Sequence, residues 1–411
     1  MLYNPDKEII RRLAGEVAAI AALPVQEQKR AMWRKLNGRK PVRPMVTIDQ
    51  VCWNEMNVDD ELTLRCQDAE CRRYEDSLRK TLYQWRHFPV DMVVEPFVRV
   101  PKAVNNSGFG VNVKEEIAVG DPTNSVVGHS FVNQFEAEAD LDKIKTPVIT
   151  HDRAETARRL EVAHALFDGT LGIFEDGCDP YLSVWDLISC WMSVESALYA
   201  LVDHPDFMAE LARRMVKGYM RMLDQLEAQG LLCHHQSLIH CTGAQTDELP
   251  APGFDPARPR TKDIWMFGLA QMFSTVSPAM FEEFELDICM PIFKRFGLVY
   301  YGCCDPLDRK MAQVRKIPNV RKISMSPWVD EELGAAEIEG QYVYSRKPNP
   351  ALLAWPSFNE KAVREHLQAT VDVCARHGCP LELILKDIST VKYEPRRLWR
   401  WAEIAMEVVG R

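Results

Sequence analysis

Apolar residues recur along this chain in two rhythms that alternate with each other, and that alternation carries most of the structural information. Near the start, Ile9, Ile10, Leu13, Val17 and Ile20 fall on one face of a helix, and a second helix with Trp33 and Leu36 follows Pro24. Residues 45–51 then alternate with period two, as a half-buried strand does. After a helix marked by Leu64, Cys71, Tyr74, Leu78 and Leu82, the run VDMVVEPF at 90–97 has the near-continuous apolar character of a strand covered on both faces. Further strands are predicted at 171–174, 298–301, 322–325, 341–345 and 381–386. Of two strand-like segments, 237–241 and 265–271, only one is assigned to the main sheet.

Helices fall between these strands. They run through Leu160 and Leu166, over 193–201 and 204–229, from the Ser277-Pro278 cap to Lys294, over 359–377, and from Pro395 to Val409. Repeated strand-helix units imply parallel strands with right-handed crossovers, about eight of them. The expectation is an α/β fold, a (β/α)8 TIM barrel over residues 41–411. A helical extension, residues 1–40, would pack across one end. Residues 105–140, rich in Gly, Asn and Ser, are expected to leave the barrel as an inserted hairpin or lid.

Composition narrows the function. A chain of 411 residues, 46% hydrophobic, can bury one large core. A formal charge of -9 lacks the basic face of a nucleic-acid binder. No apolar run approaches the ~18 residues that a membrane span needs. Asp6, Glu8, Glu16 and Glu27 rule out a signal peptide in the first thirty positions. The twelve cysteines are scattered and two are adjacent, which suits reduced thiols in a cytoplasmic protein better than a disulfide framework.

Chemistry in such a barrel belongs at the carboxyl ends of the strands. In LVYYGCCDPLDRK, Gly302 ends a strand and delivers Cys303, Cys304 and Asp305. Asp49 closes the first strand, Lys386-Asp387 closes the last, and His240 ends SLIHCTG. Asp91 and Glu95 are the only charges in an apolar run and are costly to bury without partners. Asp91, Asp49, Glu95, Asp305, Lys386 and Asp387 are therefore the candidate acids and bases. Tyr301, Gln271 and Trp265 are candidate pocket residues, and His240, Cys303 and Cys304 candidate metal ligands.

Seven ordered pieces extend this picture: PVRPM, VDMVVEP, DLDKIKTP, VSPAMFEEF, YYGCCD, YVYSRKPNPALL and KYEPRRLW. Together they make residues 41–409 resemble the uroporphyrinogen decarboxylase superfamily, which also holds methyltransferases that serve a corrinoid cofactor. The true decarboxylases carry Arg-Gln-Ala-Gly-Arg after the first-strand Met, and this chain reads Val46-Thr47-Ile48-Asp49-Gln50 there. Without those guanidiniums a highly anionic substrate would be repelled.

Thiol-methylating members bind zinc through His-x-Cys and a late Cys. Here those positions hold Tyr301, Cys303 and the neighbourhood of Ile388 and Ser389. The resemblance therefore implies the demethylating side of the chemistry: transfer of a methyl group from a small O- or N-methylated donor, such as a methoxylated aromatic, to a corrinoid. That corrinoid would be carried by a separate partner protein, since no Asp-x-His-x-x-Gly occurs here. Zinc is an expected cofactor, and a homodimer is open. The alternatives are a decarboxylase or lyase of a small carboxylic acid using Asp91 or Asp49, and a non-catalytic partner of the corrinoid protein.

Overall fold

The structure, a computed structural model, describes residues 4–120, 122–124 and 127–410. Helices α1 (Asn4–Ala21) and α2 (Pro24–Asn37) form where the first apolar stripes predict them. The parallel strands that follow are β1 (Met45–Ile48), β2 (Phe97–Pro101), β3 (Gly172–Asp176), β4 (Trp265–Gly268), β5 (Leu298–Tyr301), β6 (Val320–Met325), β7 (Val343–Arg346) and β8 (Leu381–Leu385). Six of them make one parallel sheet in the order β1-β8-β7-β6-β5-β4, and β2 pairs separately with β3. The α/β class is as expected, but the hydrogen-bonded ladder does not close into a barrel.

The gap beside β1 has a physical cause. The predicted strand at 90–97 enters a ladder only at Phe97, because side chains of α2 take the backbone groups of residues 90–94. Lys29 Nζ donates to Val90 O at 2.8 Å, Trp33 Nε1 to Asp91 O at 2.9 Å, and Gln26 Oε1 accepts from Val94 N at 3.0 Å. What remains to meet β1 is Asp91, whose N–H donates to Val46 O at 2.9 Å and whose carboxylate accepts from Val46 N at 2.9 Å. At the other edge the Gln236 amide plays the same part for β4, accepting from Trp265 N at 2.6 Å and donating to Trp265 O at 3.3 Å. Side chains thus satisfy edge groups that a neighbouring strand would otherwise pair.

Strict alternation along the six-stranded sheet separates two environments. Val46, Met266, Val299, Tyr301, Ile323, Tyr344, Leu383 and Leu385 belong to the apolar layer between sheet and helices. Phe267, Tyr300 and Ile384 cluster on the opposite face. That second face is concave enough for alternate strands to touch. Tyr300 of β5 bonds Ser345 of β7 at 2.6 Å, and Lys322 of β6 reaches Glu382 of β8 at 2.8 Å. Trp33 and Leu36 of α2 pack on Met45 and Val343, the first residues of their strands, so α2 covers the amino end of the sheet there. The carboxyl ends are left for chemistry.

Lys322 and Glu382 are both fully buried, and Thr242 Oγ1 donates to the same carboxylate oxygen at 2.7 Å. Lys322→Met should destabilise the fold by ~3–5 kcal/mol because it strands a buried carboxylate. The urea midpoint should fall accordingly, and adding Glu382→Leu should recover most of the loss. An unchanged midpoint in Lys322→Met would contradict this placement. Among the described residues no helix is long and apolar enough to cross a membrane. The 105–140 excursion does contain a hairpin, Glu115–Ala118 paired with Gly128–Phe131. Beyond its first strand, Asn124 Nδ2 donates to Ser389 O at 3.2 Å, above the carboxyl end of β8.

Candidate active site

The chain turns sharply where β5 ends. Gly302 has φ +91°, and a Cβ there would lie 2.4 Å from Leu307, so glycine is required on both counts. The turn is fixed by Asp305, which is buried and accepts from Cys303 N at 3.0 Å, and by Ser324 Oγ, which donates to Cys303 O at 2.6 Å. Burial raises the Asp305 pKa, opposed by the hydrogen bond from Cys303 N. The Cys303 thiol is thereby aimed toward the ends of β7 and β8.

Lys386, the first residue after β8, places Nζ 3.1 Å from Cys303 Sγ and 3.1 Å from Asp387 Oδ2. Cys304 Sγ lies 3.5 Å from Cys303 Sγ and 3.6 Å from Asp387 Oδ2. The adjacent thiols titrate in opposite directions. Cys303 is held well below the ordinary thiol range by the hydrogen bond from Cys304, by His240 and by the Lys386 ammonium, against the cost of burial. Cys304 is raised, first by its bond to Cys303 and then by burial. Cys303 is thus a thiolate and Cys304 its proton-bearing neighbour. Burial alone would lower Lys386, but Cys303, Asp387 and Cys304 outweigh it and keep Lys386 charged.

A second lysine completes the group, and sequence reasoning missed it. Lys347 follows β7 and donates from Nζ to Tyr300 OH, to Ser345 Oγ at 3.1 Å and to Ser345 O at 3.3 Å. It is only 2% exposed, and burial pulls its pKa down to about 8, opposed by the charges of Cys303 and Glu382. The available signal was a lysine directly after a strand and before Pro348, in a sheet whose other strand ends carry Cys303 and Lys386. Cys304, Lys347, Lys386 and Asp387 line one cavity of about 350 Å³ at the carboxyl end, with Pro327, Trp328 and Pro350 around its rim. A fixed anion, a fixed cation and an amine that exchanges its proton near neutrality therefore border one small space.

The expected zinc ligands do not fit an ion. His240 lies within hydrogen-bonding reach of Cys303, but its ring is stacked on Phe267 at 3.7 Å, its Nε2 is buried without a partner, and burial lowers its pKa. Cys303 already faces an ammonium and Cys304 faces Asp387. Among the described residues no three His, Cys, Asp or Glu side chains converge as ligands would. No step is routed through zinc.

No family model and no curated protein matches the sequence. Among solved structures, the fold is similar to that of a methyltransferase from Methanosarcina mazei. The two share 10% identity over 93% of this chain and 98% of that one, with a TM-score of 0.50. At that identity the likeness speaks for the fold alone.

Of the other residues singled out in the sequence, several stand elsewhere. Asp91 is 1% exposed and bound bidentately by Arg43 at 2.9 and 2.7 Å, which with the Val46 bond makes it a structural clamp. Glu95 is paired with Arg30 at 2.8 Å. Trp265 opens β4 at the amino end of the sheet, donating to Ala244 O at 2.9 Å, and does not reach the mouth. Gln271, at the start of the short helix Gln271–Thr275, binds the Asp186 carboxylate of the helix Val184–Met192 through N at 3.2 Å and Nε2 at 3.0 Å. Asp49, which accepts from Gln50 N at 2.6 Å, lines a separate cavity of about 460 Å³ in the gap beside β1, with Cys241, Glu95 and Arg99.

Tyr301 points away from the site, into the helix layer, where its hydroxyl donates to Glu285 Oε1 at 3.0 Å. Cys289 Sγ lies 3.3 Å from the other oxygen of that carboxyl group. Burial raises the Glu285 pKa from 4.5 to about 8. The folded protein then keeps a proton that the unfolded chain has released, so stability falls as pH rises from about 4.5 to about 8 and flattens above. Glu285→Gln keeps the acceptor for Tyr301 and should remove this part of the slope in denaturation curves across pH 5–8. An identical slope in the variant would count against a neutral Glu285.

Proposed function

We propose that this protein is a methyltransferase that takes a methyl group from a small O- or N-methylated donor and gives it to a corrinoid carried on a separate protein. The single observation that carries the reading is Lys347, a buried amine whose pKa burial lowers to about 8 and which lines the same cavity as Lys386, the ammonium partner of the Cys303 thiolate. A methyl group leaves an ether oxygen or amine nitrogen readily only when that atom is protonated. In its ammonium form Lys347 supplies that proton, and Lys386, held charged by Cys303, orients the same heteroatom from the other side. Pro327, Trp328 and Pro350 line the cavity beside these lysines. Trp328 is 73% exposed there, an apolar surface suited to the face of a macrocycle. The docked corrinoid would supply the nucleophile that accepts the methyl group.

The test is a donor panel of methoxylated benzoates and methylamines, incubated with the protein and chemically reduced free cobalamin. Methylcobalamin should accumulate, detected by absorbance, with at least one donor class and not with the demethylated counterparts. No methylation with any donor, when the partner corrinoid protein is also supplied, would remove the proposal. Arg43 clamps Asp91, so a decarboxylase or lyase would have to rest on Asp49, which lines a cavity separate from that of Lys347 and Lys386.

A further inference from the structure

Methyl transfer asks Lys347 only to hold and give up a proton, but its surroundings equip it for more. Lys347 lines the mouth cavity, while two hydroxyls, Tyr300 OH and Ser345 Oγ, contact its Nζ and each other, the latter at 2.6 Å. Both residues are fully buried. The facing wall is apolar, formed by Pro327, Trp328, Pro350, Ala351 and Ala354, and the space measures about 350 Å³. An amine with a neighbouring proton relay and an apolar antechamber is the equipment of a carbonyl-capturing lysine.

We propose that Lys347 is also a nucleophile, condensing with a small aldehyde of apolar body that enters from the mouth cavity. The ammonium first gives a proton to water. The Nζ lone pair attacks the carbonyl carbon, a C–N bond forms, and the π pair moves to oxygen, which takes a proton from the Tyr300–Ser345 relay. The nitrogen of the adduct returns one proton to the relay, the hydroxyl leaves as water with the proton first given to solvent, and the freed nitrogen lone pair closes the C=N bond. In sum, one ammonium and one aldehyde give one protonated imine and one water. Cys303 and Asp387 remain as counter-ions for the resulting cation. This inference does not depend on methyl transfer.

The experiment uses the intact protein with benzaldehyde at neutral pH, trapping by cyanoborohydride, and peptide mass mapping of the benzyl group. Because burial lowers the Lys347 pKa from 10.5 to about 8, it offers over ~100-fold more free amine than an ordinary lysine. Benzylation of Lys347 should therefore outrun that of Lys361, whose side chain is 84% exposed, by ~10-fold or more. Tyr300→Phe should slow labelling at Lys347 while leaving Lys361 unchanged, with circular dichroism confirming the fold. Labelling of Lys361 with Lys347 unmodified in the wild-type protein would overturn the proposal. So would equal rates at the two lysines. Failure to methylate cobalamin would leave this result untouched, so the two proposals fail separately.

Discussion

Replacing Lys347 by Met should cut the rate of methyl transfer by ~10²–10⁴-fold, the usual contribution of a positioned general acid. The loss should fall on kcat for donors whose leaving atom needs a proton, and it should shrink for donors with an intrinsically good leaving group. The pH profile supplies a second readout. A group that acts as an acid with a pKa of about 8 makes wild-type activity decline as pH rises through that value. In Lys347→Met that limb should disappear from whatever activity remains. Equal losses for all donors, with the limb intact, would mean that Lys347 supports the fold and not the reaction.

Cys303→Ser should have the next largest effect, through its neighbours. The thiolate raises the pKa of Lys347 and helps keep Lys386 charged. Removing that negative charge leaves burial less opposed, so Lys347 loses its proton at lower pH. Activity at pH 8 should fall by up to ~10-fold as the ammonium form is depleted, while activity near pH 6 is far less affected. Cys304→Ser keeps the Cys303 thiolate and Lys386 in contact and should be much milder. A pH-independent loss in Cys303→Ser would instead point to direct contact between sulfur and the reacting group.

How far these groups could be read from the sequence depends on what positions each one. Cys303, Cys304, Lys386 and Asp387 were legible because strand ends are marked by a glycine or by the close of an apolar run, and parallel strands bring such ends together. The adjacent tyrosines show the limit of that logic. Tyr301 occupies the position where zinc-binding members of the resembled superfamily carry His, yet in this sheet Tyr300 faces the site and Tyr301 the helices. A one-residue difference in register reverses every side chain, and an apolar run four residues long does not announce its register.

Asp91 misled for a different reason. A carboxylate in an apolar run does demand a partner, but the partner is Arg43 on the approach to β1, and side chains of α2 hold the rest of that segment out of the ladder. Such tertiary capture leaves no local pattern. Lys347 escaped notice because lysine before proline also reads as an ordinary surface turn. Only the contact between alternate strands, β7 onto β5, shows it buried against Tyr300.

The most direct measurement is an NMR titration of the protein labelled at the lysine ε-carbon, with the Lys347 signal assigned from Lys347→Met. A buried amine facing the Cys303–Lys386 pair should titrate with a midpoint of about 8, and at lower pH in Cys303→Ser. A midpoint near 10.5, unmoved by Cys303→Ser, would contradict a buried, proton-exchanging Lys347.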